Sequence, residues 1–436
     1  MRPLLLLTGS LIPLLPTVAP AFGQSEIHPI VTLAPSDVPP PFGTAFGASV
    51  AVWGDWIAVG APADPWGSGL DAGAVYIFRR LGPTWIEHAK LTDPDGTWLD
   101  HLGASVAMEG DVIVAGAPQF ETTFPCCGGP GAVYVYRRDD QGTPRDLSDD
   151  AWYQEARLTP PNPVMGDMLG FSVAISGDTI VAGSPYHSKS EVYRRHRDGW
   201  VHKATLDGAD PDPNGFGYSV DIDDDLIVGG APIQDDGTGS AYVFRRRDNR
   251  WKKEATLIAS DGGRRETFGF SVSISEQHVL IGAPQHVESG AVYLYLPTAM
   301  HTWEEQYKLV PPSPSYAFGQ TVCVDKDLAI VLNRGEAWAD VFAKRNKLWE
   351  PSTRLVGLSS PYELALSIHE RYAVIWTRVY VVRDRVSLRD FARLENCLSD
   401  MSVTELTPDC QPFDLTADER VELDDFEQFM GTFAGP

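Results

Sequence analysis

The chain has 436 residues, of which 43% are hydrophobic, and its 40 glycines and 34 prolines favour a structure with many turns over one built from long helices. Its net charge of −24 argues against a nucleic-acid ligand, because phosphates are bound through lysine and arginine, and also against an anionic membrane surface. Acidity of this kind is common in exported proteins, where it serves solubility.

The first residues have the features of a secretory signal peptide. Arg2 precedes an apolar run from Leu4 to Leu15, and small residues follow between Ala19 and Gly23. This order predicts that residues 1–23 are a cleaved signal peptide and that the protein is secreted, to the cell surface, the extracellular space or the periplasm. An N-terminal anchor helix is the alternative, although two prolines interrupt the apolar run. No later stretch of 18 apolar residues occurs, so we expect no membrane-spanning segment.

One motif recurs along most of the chain. It consists of Phe-Gly or Leu-Gly, then Gly-Ala-Pro, then Gly-Ala-Val-Tyr, and its third copy ends in a degraded form, Glu191-Val192-Tyr193. The glycines of the opening dipeptide fall 47 to 67 residues apart, a period typical of propeller blades. They are Gly47, Gly103, Gly170, Gly217, Gly269 and Gly319. The Gly-Ala-Pro elements, one of them Gly-Ser-Pro, begin at Gly60, Gly116, Gly183, Gly230 and Gly282.

Each copy predicts four short antiparallel strands. Apolar and small residues alternate over four to six positions, as in Ser49–Val52, and turn residues separate these runs. The fourth strand is marked by a tryptophan six residues before a leucine, and this even offset predicts that both side chains lie on the same face of the strand. The pairs are Trp85/Leu91, Trp152/Leu158, Trp200/Leu206, Trp251/Leu257, Trp303/Leu309 and Trp349/Leu355.

The ends of the chain predict how the ring closes. The last copy has only three strands, and the third is Val379 to Val382. Near the N-terminus, Ile27 to Leu33 repeats the spacing of the fourth strand, with Ile27 where the other copies carry tryptophan. We therefore predict an all-β fold over residues 24–386, a seven-bladed β-propeller that this N-terminal strand closes. Closure leaves no unpaired sheet edge at the junction.

These repeats resemble the FG-GAP repeats of integrin alpha-chain propellers, and more closely the shorter bacterial variety of that repeat. The resemblance covers Phe46 to Val382, with five good copies and two eroded ones, and implies a propeller. Integrin-type blades often carry an Asp-rich calcium loop between the first two strands. Here the connection is a tight turn such as Gly54-Asp55, which has no room for the six or more oxygens that calcium requires, so we expect no calcium in the blades.

No catalytic motif is present in the sequence. It has no Gly-x-Ser-x-Gly, no His-Glu-x-x-His and no Cys-x-x-Cys. We therefore expect a binding or adhesion module that is not an enzyme and requires no cofactor. One alternative is an extracellular carbohydrate-active enzyme whose carboxylates come from different blades at the mouth of the propeller. A structural component of the cell envelope is another.

The two faces of the predicted propeller differ in their connections. On one, the turn face, the turns between strands one and two carry aspartate, and third strands end in paired arginines such as Arg79-Arg80. We interpret this alternation as ion pairing within each blade, with an anion-binding ring as the alternative.

The opposite face, the loop face, carries the long and dissimilar connections, where recognition usually resides. Five acidic and aromatic residues of these loops are the predicted site for a protein or glycan ligand. They are Asp64, Trp66, Asp95, Trp98 and Asp236. The alternative is that the aromatic side chains pack against blade edges.

Residues 387–436 predict a small helical pair, because leucine and phenylalanine recur three residues apart in Val386–Leu394 and Val421–Phe429. The segment between Asp414 and Asp425 resembles the calcium loop of dockerin-type EF-hand repeats. The candidate metal ligands are Asp414, Asp418, Glu422 and Asp425. Glu419 replaces the glycine that allows the sharp turn, so we expect weak calcium binding or none, and a role in tethering or docking.

The five cysteines predict little metal chemistry. Cys397 and Cys410 are close in sequence and are predicted to form a disulfide in an oxidising compartment. Cys126 and Cys127 are either a strained disulfide or two thiols. Cys323 is expected to be a buried small hydrophobe.

Overall fold

The computed structural model describes residues 17–18, 25–37, 44–64, 71–82, 84–93, 99–119, 129–143, 149–208, 215–298, 302–311, 317–333, 338–346, 348–358, 365–370 and 372–382. These residues form seven sheets, one after another along the chain, and each is built around consecutive antiparallel strands. The seven-bladed β-propeller predicted from the repeats is therefore confirmed.

The first six blades each have four consecutive strands, numbered here from the innermost strand outward. Blade one consists of Ser49–Trp53, Trp56–Ala61, Ala74–Leu81 and Thr84–Leu91, blade two of Ser105–Glu109, Val112–Ala117, Ala132–Asp139 and Ala151–Leu158, and blade three of Val173–Ser176, Thr179–Ser184, Lys189–His196 and Gly199–Asp207. Blade four consists of Ser219–Asp223, Leu226–Ala231, Ser240–Arg247 and Arg250–Leu257, blade five of Ser271–Ser275, His278–Ala283, Ala291–Pro297 and Trp303–Leu309, and blade six of Phe318–Asp325, Leu328–Asn333, Trp338–Arg345 and Leu348–Val356.

Three single helical turns lie between the second and third strands of blades three, four and five. They are the 3-10 turns Pro185–His187 and His286–Glu288 and the four-residue turn Gln234–Gly237. Among the residues described, no helix reaches the length and apolarity needed to cross a bilayer.

The seventh blade closes the ring as predicted. It has three consecutive strands, Leu366–His369, Tyr372–Ile375 and Arg378–Val381, and the N-terminal strand Val31–Thr32 pairs antiparallel with the last of them. Val31 lies opposite Val379. The closing strand thus comes from the start of the chain, and no edge of blade seven is left open at this position.

Ile27 does not take the tryptophan position of blade seven, and that part of the prediction is wrong. Ser25–Ile27 instead pairs in parallel with the outer strand of blade six, with Ile27 opposite Leu355. Pro29 separates the two short strands, and proline interrupts a ladder because it has no backbone N–H. A further two-residue strand, Thr17–Val18, lies in parallel beside the outer strand of blade five.

The repeated glycines mark the points where the backbones of neighbouring blades come close together. The amide of Gly47 donates to the carbonyl of Gly60 within blade one, and the hydroxyl of Ser49 donates to the carbonyl of Gly103 in blade two. The same serine-to-glycine bond joins blades two to three, three to four, four to five and five to six. The motif therefore encodes the junction between blades as well as the blade.

A second set of hydrogen bonds joins the innermost strands around the central channel. The last residue of one innermost strand accepts a hydrogen bond from a backbone N–H of the next blade at six junctions. The acceptor and donor pairs are Glu109 and Gly177, Ser176 and Asp224, Asp223 and Glu276, Ser275 and Lys326, Asp325 and Glu370, and His369 and Gly54. The last pair joins blade seven to blade one and completes the ring.

The tryptophan and leucine of each outer strand lie on opposite faces, so the prediction that they share a face is wrong. Trp85 packs toward blade seven, in a cluster that contains Val374, whereas Leu91 packs toward blade two beside Leu102. The cause is a β-bulge, which inserts one unpaired residue and inverts the alternation of side chains. In six blades the bulged residue stands three after the tryptophan: His88, Glu155, Lys203, Glu254, Gln306 and Ser352.

Cys323 is half-buried on the innermost strand of blade six and packs against the core between blades six and seven. Burial is the largest cause that raises the pKa of its thiol, to about 12. Other predictions fall outside the described residues. These are the helical pair of residues 387–436, the calcium-loop residues Asp414, Asp418, Glu422 and Asp425, the pair Cys397 and Cys410, and Cys126 and Cys127.

Candidate functional site

The turn face carries ion pairs within blades, and the interpretation drawn from the sequence is confirmed there. Arg80 Nε lies 2.5 Å from Asp55 Oδ1 in blade one, and Arg194 Nε lies 2.8 Å from Asp178 Oδ2 in blade three. The equivalent pairs are Arg138 with Asp111 in blade two and Arg245 with Asp225 in blade four. These carboxylates are partly exposed, so each pair contributes only a few tenths of a kcal/mol to about 1 kcal/mol.

Asp64, a predicted ligand residue on the loop face, is only 1% exposed. The Tyr76 hydroxyl donates a 2.7 Å hydrogen bond to Asp64 Oδ2, and Lys90 Nζ lies 3.1 Å from both carboxylate oxygens. Tyr76 also donates to Asp37. The carboxylate of Asp64 is thus held inside blade one, which favours a structural role over contact with a ligand.

The position that Asp64 occupies in the repeat carries other polar side chains in blades four and five. It is the fourth residue after the Gly-Ala-Pro glycine, and it is Gln234 in blade four and His286 in blade five. The Tyr242 hydroxyl donates to Gln234 Oε1 at 2.5 Å, and the Tyr293 hydroxyl lies 3.4 Å from His286 Nδ1. In blades one and four the polar residue at this position therefore accepts the hydrogen bond of the buried tyrosine, whereas in blade five the Tyr293 hydroxyl donates to Asp261 Oδ1 at 2.8 Å.

Blade three differs because Glu191 occupies the position that Tyr76 has in blade one. The hairpin register sets Glu191 opposite Ala182, as Tyr76 is set opposite Val59, so the sequence alignment of Tyr193 with Tyr76 is wrong by two residues. Loops of unequal length precede these strands, and register in a hairpin follows the pairing of the strands rather than the motif letters. Glu191 is 1% exposed and accepts hydrogen bonds from His202 and Thr205, each 2.7 Å long.

Blade five has the densest polar cluster of the loop face. His286 Nδ1 is 2.6 Å from Glu266, Lys308 Nζ is 2.6 Å from His286 Nε2, and Lys308 is also 2.5 Å from Asp261. Burial alone would raise the pKa of Asp261, but hydrogen bonds from Lys308 and Tyr293 and the charge of Lys308 hold it below its usual value. In this cluster the acidic side chains are each paired with a lysine or histidine, so the charges balance one another. In the part of the chain that the structure describes, no group of three or more His, Cys, Asp or Glu is placed to hold a metal ion.

A set of exposed apolar side chains distinguishes the loop face of blades three, four and five. Tyr186, Ile233 and Val287 come from the loops between second and third strands, and they are 63%, 58% and 68% exposed. Val164 and Met165, in the loop that enters blade three, are 52% and 61% exposed. Exposed aliphatic side chains grouped on one face are characteristic of binding surfaces.

An aromatic row lies on the same face, where the innermost strands of blades three, four and five begin. Phe171 and Tyr218 lie with ring centroids 5.0 Å apart, and Tyr218 and Phe270 lie 4.9 Å apart. Burial, and then the neighbouring hydroxyl of Tyr186, raises the pKa of Tyr218, which links the row to the helical turn of blade three. We call this surface the apolar patch, made of Phe171, Tyr218, Phe270, Val164, Met165, Tyr186, Ile233 and Val287.

The aromatic row was not among the predicted site residues, although the sequence contains a signal for it. The residue after Phe-Gly or Leu-Gly is alanine in blades one and two and aromatic only in blades three, four and five. Of the predicted ligand residues, Asp236 lies beside the patch, with its side chain 72% exposed and 2.9 Å from Arg264. Trp66, Asp95 and Trp98 lie outside the described residues.

Comparison with known families gives one match. A model of the FG-GAP repeat family matches residues 31–78, 85–136, 152–194, 200–244 and 251–295, which together make up more than half of the chain. Each matched segment runs from the outer strand of one blade to the third strand of the next, so the sequence repeat spans the junction between two blades.

Two solved structures are similar in outline. One is Sqt1 of Saccharomyces cerevisiae, with 11% identity and a TM-score of 0.47, in a likeness that covers 78% of this chain and 97% of that one. The other is a protein of unknown function from Desulfotomaculum acetoxidans, with 12% identity and a TM-score of 0.47 over 77% of this chain and 90% of that one.

Proposed function

The chain belongs to the FG-GAP repeat family, and from that premise we propose that it is an exported binding module whose loop face holds a protein partner. The observation that carries this proposal is the apolar patch on blades three, four and five. Ile233, Val287 and Tyr186 are each more than half exposed there, and they come from the same loop of three consecutive blades.

The composition of the patch favours a protein over a glycan as the ligand. Ile233, Val287 and Met165 offer non-directional aliphatic contacts, which suit the apolar centre of a protein interface. A glycan site needs hydrogen-bonding groups beside an aromatic platform. Of the polar side chains on this face, Asp64 and His286 are instead turned inward and hydrogen-bonded within the propeller, and the exposed Asp236 is paired with Arg264.

The scaffold beneath the patch is well suited to rigid presentation. Phe171, Tyr218 and Phe270 follow directly on the motif glycines, where the backbone of each blade is hydrogen-bonded to the next. Side chains fixed in this way lose little conformational entropy when they bind a partner. We therefore place the site on blades three to five rather than at Trp66 and Trp98.

The remaining parts of the proposal concern export and the tail. In this proposal the signal peptide of residues 1–23 directs export to the extracellular space, the cell surface or the periplasm. The binding module works without catalysis and needs no cofactor, and residues 387–436 tether or dock the propeller, with at most weak calcium binding at Asp414, Asp418, Glu422 and Asp425.

The experiment compares the purified protein with two double variants in affinity capture from the exported fraction of the native cells. The first, Ile233→Glu with Val287→Glu, places charge in the patch. The second, Leu81→Glu with Leu348→Glu, is the matched control, because Leu81 and Leu348 are exposed to 52% and 47% on the turn face. We expect the same partner to be captured by wild type and control and lost from the patch variant, with all three melting at similar temperatures.

Three results would overturn the proposal. Capture that survives in the patch variant would remove the patch from the interface. Loss of capture in the turn-face variant alone would show that the partner binds the turn face and not the loop face. A glycan array that gives reproducible binding, abolished by the patch variant, would show that the ligand is a glycan.

A further inference from the structure

A second site lies on the opposite side of the propeller. On the turn face, a groove of about 460 Å³ runs between blades three and four. Its lining includes Arg194, Lys203, Arg246, Asp178, Asn249 and Trp251. Four of the lining residues are lysine or arginine and one is a carboxylate, in a chain whose net charge is −24.

The excess of positive charge has an identifiable origin in the bulge of the outer strand. The bulged residues of blades one to four face the next blade, and in blades two and four this residue is a glutamate. Glu155 accepts a 3.2 Å hydrogen bond from the indole of Trp200 and pairs with Arg195 of blade three. Glu254 accepts a 3.0 Å hydrogen bond from the indole of Trp303 and lies 2.7 Å from Arg245.

In blade three the same position holds Lys203, which faces Trp251 and Arg246 of blade four across the groove. The glutamate that neutralises the arginines at two other junctions is thus replaced by a cation. Arg246 has instead a distant contact with Asp178, at 4.0 Å, and a 3.4 Å hydrogen bond to the Thr179 hydroxyl. Like charges gathered around a groove attract an anionic group from solution.

The carboxylate that remains in the groove is already engaged. Burial alone would raise the pKa of Asp178, but hydrogen bonds from Arg194 and Thr179 and the charges of Arg194 and Arg246 lower it. Asp178 therefore stays ionised and orients Arg194, whose other nitrogen donates to Asn249 Oδ1 at 3.1 Å. Of the other lining cations, Arg195 pairs with Glu155, whereas the side chain of Lys203 is exposed at the edge of the groove.

We propose that this groove binds an anionic saccharide, a glycan segment that bears carboxylate or sulfate groups. Arginine and lysine supply donors for the acidic group, and the exposed Asn249 supplies an amide for sugar hydroxyls. The indole of Trp251 adds a planar apolar surface, with the Arg246 guanidinium 5.6 Å from its ring. An acidic peptide would use the charges but would have no need of the indole.

This site goes beyond the proposed function, because it lies on the other face and takes a different ligand. A propeller that holds a protein on its loop face and an anionic polysaccharide on its turn face would link the two. Binding at either face can be lost without loss of the other, so the two proposals fail separately.

The test uses the full-length protein with two probes, a hexasaccharide of galacturonate and a sulfated heparin hexasaccharide, measured by calorimetry in dilute salt. A neutral dextran oligosaccharide is the negative control. The two acidic probes distinguish carboxylate from sulfate as the recognised group. We expect at least one of them to bind, with an affinity that falls as salt is added, because the attraction between charges is screened.

Lys203→Glu is the decisive variant, because it restores the residue type that blades two and four carry at this position. It should fold with an unchanged melting temperature and lose about tenfold or more in affinity for the acidic probe, which corresponds to about 1.4 kcal/mol. Lys252→Glu is the matched control. Lys252 is an exposed lysine of the neighbouring outer strand and is not part of the groove lining. The affinity of the Lys252→Glu variant for the acidic probe should therefore stay within about twofold of wild type.

Several outcomes would overturn the proposal. Equal affinity in the Lys203→Glu and Lys252→Glu variants would remove the groove from the site, and equal binding of neutral dextran would remove the anionic group. If neither acidic saccharide binds, the groove is not a saccharide site. If poly-glutamate binds in their place, the ligand is an acidic polypeptide. Should Lys203→Glu alter the melting temperature, Lys203→Gln gives the same test without a charge reversal.

Discussion

Gly60 of blade one lies so close to Gly103 of blade two that a β-carbon on Gly60 would stand 2.0 Å from the carbonyl oxygen of Gly103. The same approach recurs at the next four junctions, where the glycine of Gly-Ala-Pro meets the carbonyl of the following Phe-Gly or Leu-Gly at 1.9 to 2.1 Å. The two halves of the repeated motif therefore meet each other across the junction, in neighbouring blades.

This close approach predicts that one added methyl group at such a glycine strongly lowers the stability of the protein. Gly116→Ala would place a β-carbon 2.0 Å from the Gly170 carbonyl oxygen, and neither backbone can move without opening the junction. We expect a loss of more than about 3 kcal/mol in the free energy of unfolding. Gly110→Ala is the control, because Gly110 has open space around it and only its positive φ of 56° opposes the substitution, at a cost of about 1 kcal/mol. Denaturant titration measures both, and equal losses would contradict this account.

The features that repeat could be predicted from the sequence, and those that break the repeat could not. The repeated motif and the three strands at the end of the chain predicted seven blades, and the outer-strand spacing predicted a closing strand within Ile27 to Leu33, where Val31–Thr32 is found. The bulge was missed because a tryptophan six residues before a leucine looks the same in a regular strand and in a bulged one. Only the pairing of Val192 with Ala204 and of Tyr193 with His202 shows that Lys203 is the extra residue.

The candidate sites were harder to predict for a related reason. Asp64 was chosen because aspartate in a long loop is usually exposed, whereas the fold brings it to Tyr76 and Lys90. Exposure of Ile233 and Val287 depends on loop geometry, which no local pattern specifies. The aromatic residue after the motif glycine was visible in the sequence, but its meaning depends on knowing that neighbouring blades bring these residues together.

The closing strand predicts a contrast between two neighbouring residues. Leu33 is 4% exposed in the core between blades one and seven, and its amide donates to the Thr377 carbonyl at 2.7 Å, whereas Ile30 is 49% exposed. Leu33→Ala should lower the free energy of unfolding by about 2–4 kcal/mol, because it leaves a cavity at the seam of the ring. Ile30→Ala should change it by less than about 0.5 kcal/mol. Thermal unfolding compares the two, and a similar effect of both would argue against a sealed seam.

Asp221 on the innermost strand of blade four predicts a pH-dependent stability. Burial is the largest cause that raises its pKa to about 6, and the hydrogen bonds from the backbone of Ile274 and Ile222 oppose that rise. The pKa in the unfolded chain is about 4, so the unfolded state releases its proton first as pH rises. The contribution of Asp221 to stability therefore falls between pH 4 and pH 6, by at most about 3 kcal/mol.

Asp221→Asn isolates the pH-dependent part of this contribution, because asparagine does not titrate, and it keeps an acceptor for one of the two backbone amides. We expect the unfolding free energy of wild type minus that of the variant to decrease as pH rises from 4 to 7 and to be constant above 7. Urea titrations at intervals of half a pH unit provide the measurement. A difference that does not change with pH would show that the carboxylate titrates at its ordinary value.

The N-terminal segment predicts a last result, which links export to the fold. If residues 1–23 are removed on export, the mature protein keeps Ser25–Ile27 on blade six and Val31–Thr32 on blade seven, and loses Thr17–Val18 beside blade five. The mass of the exported protein should then correspond to a chain that begins near residue 24.

The same segment predicts how two shortened chains differ in stability. Because Thr17–Val18 adds only a two-residue pairing, removal of residues 1–23 should lower the free energy of unfolding by about 2 kcal/mol or less. Removal through residue 33 should cost far more, because it takes away the outer strand of blade seven and leaves the edge of Arg378–Val381 open. An exported protein of full-length mass, or equal stability of the two shortened chains, would contradict this assignment of the N-terminus.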